Sequence, residues 1–278
     1  MADTQQQKAL AFRALHQREQ LLVLPNPWDA GSAKMLAALG FEALATTSAG
    51  LAFSLGRPDG EGLISREETL GNARAIVEAT PLPVAADLEN GFADDPQGCV
   101  DTLLQAAAAG LVGGSIEDAS GRADLPVYPL ELAVERVRAC ATAVHTLPTP
   151  FTFCARAENF LLGREDLPDT LRRLEAYAEA GADVLYAPGL TTRAQIDAVV
   201  RAVAPKPVNV VMGLSACSLT LEELAALGVR RVSVGSSLAR AALGGFLRAA
   251  RELRGGSVAY ASDAIPFAEL NALFRAGN

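Results

Sequence analysis

Histidine is nearly absent from this chain. His16 and His145 are the only two, both in stretches with a helical pattern and neither close in sequence to the acidic segments described below. That argues against a zinc site and against a Ser-His-Asp triad. Cys99, Cys140, Cys154 and Cys217 are scattered, with no CxxC spacing, so they read as small buried apolar residues rather than disulfides or zinc ligands. No apolar run reaches the roughly 18 residues of a membrane span. The N-terminal stretch Met1 to Lys8 lacks the basic-then-apolar order of a signal peptide, so a cytoplasmic protein is expected. Positive charge is also in deficit. Lys and Arg number 24 against 32 Asp and Glu, a net charge of −8 that argues against nucleic acid as a partner. A small anionic substrate stays open, because a bound cation and a local arginine can invert the field at one site.

Half of the 278 residues are hydrophobic, enough for a sizeable core. One phrase recurs: Ala37-Ala38-Leu39-Gly40, Ala107-Ala108-Ala109-Gly110, Glu179-Ala180-Gly181 and Ala226-Leu227-Gly228 each precede a short apolar run. An Ala-rich helix end, a glycine able to take the left-handed cap and a buried strand together make the αβ joint of a parallel sheet. Eight strand candidates begin near Leu21, Ala43, Val84, Gly113, Phe151, Val184, Val208 and Arg231, with helical patterns between them. Eight alternations over about 250 residues predict an α/β fold, a (β/α)8 TIM-type barrel. A doubly wound open sheet is the alternative, disfavoured because no strand is followed by the Rossmann glycine fingerprint. No low-complexity linker divides the chain, so residues 1–278 are expected to form one domain. Extra helices flank the eightfold count at Gln5 to Glu19 and Ala264 to Arg275. The second is amphipathic and would pack on a neighbouring subunit or on its own barrel.

Two acidic segments stand at the ends of apolar runs: Asp87-Leu88-Glu89-Asn90-Gly91 and Ile116-Glu117-Asp118. Carboxylates at the end of a buried strand are expected to be paired or to hold a metal. On an extended strand Asp87 and Glu89 point to the same side. A neighbouring strand about 4.8 Å away would add Glu117, making a site for a hard cation such as Mg²⁺. Plainer readings accompany each candidate. Asp87 and Glu89 could be helix caps or exposed loop acids, and Arg156 could pair with Glu158 or Glu117 as a structural ion pair. Asp59 could be a turn residue in Pro58-Asp59-Gly60, Ser48 an ordinary strand-end hydroxyl, Asn209 a partner of backbone groups in the barrel, and Trp28 core. The turn Gly235-Ser236-Ser237 could bind a phosphate or simply be tight.

Read in order, the strand ends resemble the isocitrate lyase/phosphoenolpyruvate mutase superfamily over roughly Leu21 to Leu253. The motifs that carry the resemblance are Asp-x-Glu-x-Gly at Asp87, Ile-Glu-Asp at Ile116, Ala-Arg at Ala155 and Pro-Asp-Gly at Pro58. The resemblance implies a Mg²⁺-dependent enzyme, a homodimer or homotetramer, acting on a 2-oxo acid or its enolate. It implies Asp87 nearest the metal, with Glu89, Glu117 and Asp59 holding it partly through water. Backbone N–H groups around Ser48, Ala49, Gly50 and Leu51 would take the substrate carboxylate. Arg156 would bind substrate and stabilise developing charge, with Asn209 as a further polar contact. Trp28 is carried as an additional candidate at a strand end.

The chain departs from the best-known members in two places. The lyases carry a Lys-x-Cys-Gly-His loop after the fourth strand; here the loop runs Ala119 to Tyr128 with neither Cys nor His. Pro188 stands where those lyases have a strand-six glutamate. The phosphonate mutases use a loop with Lys and Asn, and this one offers Arg122. The expected activity is therefore a carbon–carbon lyase or an oxaloacetate-type decarboxylase on a 2-oxo or 2-hydroxy dicarboxylate, with Tyr128 or Arg122 assisting a cleavage. The alternatives are a 2-oxo acid binding protein, for example for 2-oxoglutarate, and a phosphonopyruvate-type mutase or hydrolase. Tyr186, Met212, Leu214 and Phe53 are candidates for the distal pocket.

Overall fold

A computed structural model describes residues 4–213 and 217–275. Eight short parallel strands alternate with helices: β1 (Leu22–Leu24), β2 (Leu44–Ala45), β3 (Val84–Asp87), β4 (Gly113–Glu117), β5 (Thr152–Arg156), β6 (Val184–Tyr186), β7 (Val208–Val211) and β8 (Arg231–Ser233). Their order in the sheet is β1-β8-β7-β6-β5-β4-β3-β2. The remaining gap, between β1 and β2, is bridged where Ala45 N donates to Pro25 O at 3.1 Å and Asn26 Nδ2 donates to Thr46 O at 3.0 Å. The result is the expected (β/α)8 barrel.

The four recurrent joints form as their composition predicts. Gly40, Gly110, Gly181 and Gly228 all have positive φ, between 84° and 109°. At three of them the next residue closes the six-to-one bond of a Schellman cap: Leu111 N to Ala106 O, Ala182 N to Tyr177 O and Val229 N to Leu224 O. The helices so ended are α5 (Pro96–Ala108), α7 (Leu167–Glu179) and α9 (Leu221–Ala226).

The strand period of two sorts the core into layers. Leu44, Val84, Ala86, Ile116, Phe153, Leu185 and Val232 face outward into one large cluster under the helices. Leu22, Leu24, Ala43 and Ala85 face inward with Ala9 and Phe12 of α1 (Gln5–Gln17), and Cys154, Val184, Tyr186 and Val211 form a second inward cluster. The extra N-terminal helix thus stoppers the barrel's lower end, where a Cβ on Gly113 would come within 2.9 Å of Phe12 Cε1.

At the other end of the chain, α10 (Ser237–Arg254) has one buried residue, Ala239, and leaves Phe246 67 % exposed beside the half-exposed Leu247 and Leu253. The last helix, α11 (Phe267–Arg275), lies against α2 (Ala30–Ala38) of its own chain, where Lys34 Nζ donates to Phe274 O at 3.4 Å. No helix among the described residues is long and apolar enough to cross a membrane.

Candidate active site

Parallel pairing sets Glu117 of β4 beside Arg156 of β5, and Asp87 of β3 beside Ser115, two residues below Glu117. The guanidinium of Arg156 gathers the acids. Its Nη1 lies 3.0 Å from Asp87 Oδ1, its Nη2 3.2 Å from Glu117 Oε2, and its Nε 2.8 Å from Glu158 Oε1. The side chain is 11 % exposed and its charged end lies 4.9 Å from the centre of the Tyr186 ring. The substrate role and the ion-pair role considered for Arg156 are therefore not alternatives at the level of geometry. It is paired threefold, and it also lines a cavity at the strand ends.

Glu89 does not continue β3 as an extended residue. The strand stops at Asp87, Leu88 turns into the outer core, and Glu89 takes φ +49°. The turn is fixed because Glu89 N donates to Asp87 Oδ1 (3.3 Å) and Glu117 N donates to Glu89 O (2.9 Å). Among the described residues no three His, Cys, Asp or Glu side chains converge closely enough to hold an ion by themselves. The expected three-carboxylate convergence is corrected to a looser arrangement around Arg156.

The electrostatics show a surplus of negative charge. Burial, and then the charges of Asp87 and Asp59, push the Glu89 carboxyl up to about 7. Burial lifts Glu117 well above the carboxylate range despite Arg156, and Glu158, Asp87 and Glu89 add to the lift. Partial burial of its carboxyl and the charge of Asp87 raise Asp59 as well. Burial opposes the charge of Arg156, but Glu158, Glu117 and Asp87 more than offset this and hold its pKa above the ordinary arginine value. Five acids around one guanidinium leave room for further positive charge. Hard oxygen donors in surplus, not already converged, suit Mg²⁺, which keeps several waters and takes only one or two protein carboxylates.

Opposite Arg156, α3 (Ser48–Ser54) begins at the end of β2. Ser48 Oγ donates to Asp87 Oδ2 at 3.0 Å, and Ser48 N lies 3.4 Å from the same oxygen. Gly50 N and Leu51 N donate to the Oγ1 and O of Thr47, so these two are spent on capping rather than offered to a ligand. A side chain at Gly50 would meet Thr47 Cγ2 at 2.5 Å and Trp28 Cβ at 2.8 Å. Trp28 therefore backs this turn and is not part of the cavity lining. Asp59 does reach the cavity. Of the turn Gly235-Ser236-Ser237, considered for a phosphate, two of three backbone donors are already used: Gly235 N donates to Asn26 Oδ1 at 2.9 Å, as does Val234 N, and Ser237 N donates to Val234 O at 3.1 Å. Asn26 was not singled out from the sequence; it joins the loops after β1, β2 and β8.

The loop after β4 is closed by an isolated antiparallel bridge between Ala119 and Val127. Tyr128 is fully buried beneath it, its hydroxyl donating to Asp94 Oδ1 at 2.5 Å and its ring lying 4.0 Å from the guanidinium of Arg136. Arg122 pairs with the same Asp94 at 3.1 Å. Neither lines the cavity, which corrects the expectation that one of them assists the reaction. Of the distal candidates only Tyr186 lines the cavity; Leu214 lies outside the described residues. Asp118, next to Glu117, is a structural anchor. It accepts from Arg173 Nη1 (3.1 Å), Tyr177 OH (2.5 Å) and Glu158 N (2.8 Å), tying α7 to the strand that presents Arg156.

The cavity holds about 160 Å³ and is bounded at its rim by Ser48, Ala49, Asp59, Asp87 and Arg156. The cavity opens at the C-terminal mouth of the (β/α)8 barrel, the face at which barrel enzymes carry their active sites. The chain belongs to the phosphoenolpyruvate phosphomutase family, whose model matches residues 12–254. It is similar to a provisionally named lyase/mutase from Burkholderia cenocepacia J2315, at 57% identity over 97% of this chain and 96% of that one, with a TM-score of 0.94. Oxaloacetate acetylhydrolase, solved with its product oxalate, superposes with a TM-score of 0.88 at 27% identity, covering 98% of this chain and 95% of that one. The 2-methylisocitrate lyase of Salmonella typhimurium is 32% identical over 188 residues, 65% of this chain and 62% of the lyase.

Proposed function

We propose that this chain is a Mg²⁺-dependent carbon–carbon lyase or oxaloacetate-type decarboxylase acting on a 2-oxo or 2-hydroxy dicarboxylate through an enolate. The observation that carries the reading is Arg156, held by Asp87, Glu117 and Glu158 so that its guanidinium borders the strand-end cavity. Relatives whose names denote lyase and oxaloacetate hydrolase chemistry support the same class. Mg²⁺ would be held by Asp87, with Glu89, Glu117 and Asp59 partly through water, and would supply positive charge to a substrate keto oxygen. Arg156 fixes the substrate with its planar fork and meets the negative charge that develops when the bond at C3 breaks and its electron pair passes to the keto oxygen. The first turn of α3, through Ser48 and Ala49, takes the carboxylate beside that oxygen. The loop after β4 carries no Cys or His, and its tyrosine is buried away from the cavity. Loss of CO₂ asks for no general base, so decarboxylation is the favoured branch. The uncovered apolar side of α10 supports a homodimer or homotetramer.

The test is pyruvate release from oxaloacetate in Mg²⁺, for the wild type and Asp87→Ala, corrected for the decarboxylation that free metal causes. Turnover above background that vanishes in the variant is expected. Turnover retained in Asp87→Ala refutes the site. Absence of turnover with calorimetric binding of 2-oxo acids would instead favour a binding protein, the role that the loop's lack of a proton donor suits.

A further inference from the structure

Below the rim, the floor of the cavity contains a second guanidinium. Arg231 of β8 points into the barrel, 6 % exposed, and lines the cavity together with Leu24, Ala45 and Ala85. Its partners are all neutral groups: Nε donates to Asn209 Oδ1 at 2.8 Å, Nη2 to Cys154 Sγ at 3.1 Å, and Nη1 lies 3.4 Å from His16 Nε2. His16 Nδ1 lies 2.8 Å from Phe12 O and serves as its donor, which makes Nε2 the acceptor. Burial and the nearby arginine push His16 down to about 3, and burial keeps Cys154 a thiol, so neither neighbour balances the charge. No carboxylate among the described residues pairs with Arg231.

Two comparisons within the molecule set Arg231 apart. Arg156 is matched by three acids. Arg136, also buried and also without an acid, donates to the backbone carbonyls of Asn90, Ala93 and Glu117 and lies over Tyr128, away from the cavity. Arg231 has partners for three of its five N–H groups, one on each nitrogen, and its side chain lines the cavity. A buried cation without a counter-charge is costly unless an anion arrives.

We propose that Arg231 seats a second substrate carboxylate, so that the cavity selects small dicarboxylates, one carboxylate at the rim and the other on the floor. At about 160 Å³ the space lies below the roughly 300–1,000 Å³ of pockets for drug-sized ligands, which suits an acid of a few carbons. The inference rests on the rim reading above and adds the substrate's second charge and its receptor.

The experiment is calorimetry in EDTA with pairs of equal carbon number: malonate and propionate, succinate and butyrate, glutarate and pentanoate. In the wild type at least one dicarboxylate should bind ten-fold or more tightly than its partner. Arg231→Gln should weaken that dicarboxylate by about ten- to a hundred-fold and leave the monocarboxylate unchanged. Arg231→Lys should retain part of the preference. Melting curves on the same samples separate a structural role, which would lower Tm and leave the ratio of the two affinities as it was; that result overturns the proposal. If Arg231→Gln does not fold, a wild-type ratio near one, or an unaltered ratio in Arg231→Lys, overturns it equally. Because these probes lack a keto group and the buffer lacks metal, turnover and this ratio fail independently. Oxaloacetate turnover with a ratio near one sinks the floor site alone. An Arg231-dependent ratio without turnover sinks the reaction and keeps the floor site.

Discussion

Replacing Arg156 by methionine keeps the bulk of the side chain and removes the charge that Asp87, Glu117 and Glu158 share. Breaking a buried ion pair by deleting one partner costs about 3–5 kcal/mol. The lower end applies here, because Asp87 and Glu117 keep 19% and 17% side-chain exposure and only Glu158, at 4%, is nearly dry. About 3 kcal/mol corresponds to a fall in Tm of roughly 6–12 °C for a chain near this length. The sign with pH follows from the same acids. Without the guanidinium the folded-state pKa values of Glu117 and Glu158, already raised by burial, rise further above the unfolded ones. Such a group stabilises fully below its unfolded pKa, and the contribution is lost as pH rises through the folded pKa. The penalty of Arg156→Met relative to wild type should therefore be small near pH 5 and largest near pH 8. Differential scanning calorimetry in EDTA at pH 5, 6, 7 and 8 reads this directly. A drop in Tm that is equal at pH 5 and pH 8, or absent at both, refutes the view that Arg156 is the counter-charge of the strand-end acids.

Asp118→Asn keeps the shape but removes the charge that faces Arg173 and Tyr177; it should cost about 2–3 kcal/mol in urea titration, and lower kcat because one amide oxygen replaces two carboxylate oxygens, so either Glu158 N or the Arg173 and Tyr177 donors face an NH2. Gly50→Ala should destabilise by about 1–3 kcal/mol, as its methyl would collide with Thr47 and Trp28, and should raise KM by shifting the first turn of α3; unchanged stability and KM would contradict the packing described. In thermal-shift titrations Mg²⁺ at a hundred times its Kd should add about 2.7 kcal/mol of stability to the wild type and little to Asp87→Asn, and an equal gain in both would remove Asp87 from the metal site.

The eightfold frame was readable because its punctuation is local. Gly40, Gly110, Gly181 and Gly228 each follow an Ala-rich helix end, and each takes the left-handed cap that such a glycine permits. Asp87, Glu117 and Arg156 were readable because charged residues closing an apolar run must find partners, and the barrel brings them to one mouth. Glu89 was misread in detail. Two-residue periodicity holds only while the strand lasts, and β3 ends at Asp87 once Leu88 is drawn into the outer core. Tyr128 sits in a loop that looks solvent-facing in sequence, yet the bridge from Ala119 to Val127 and the guanidinium of Arg136 draw it inside.

Arg231 shows the deeper limit. In Val229-Arg230-Arg231-Val232 both arginines read as charged entry to a strand, and local pattern cannot say which one faces the lumen. Register decides it. Arg231 lies beside Leu22 on one side and Asn209 on the other, both inward-facing, while Arg230 Nη1 reaches out to Glu19 O at 2.6 Å. The meaning of the inward arginine then depends on what seven other strands contribute at its level. Had any of them supplied an aspartate or glutamate there, Arg231 would be a closed structural pair. They supply an amide, a thiol and aliphatic groups instead, and α1 adds a neutral imidazole. No described residue balances this cation, so on the proposal above an anion from outside the chain completes it, and the floor of the barrel would then select among acids as much as its acidic rim does.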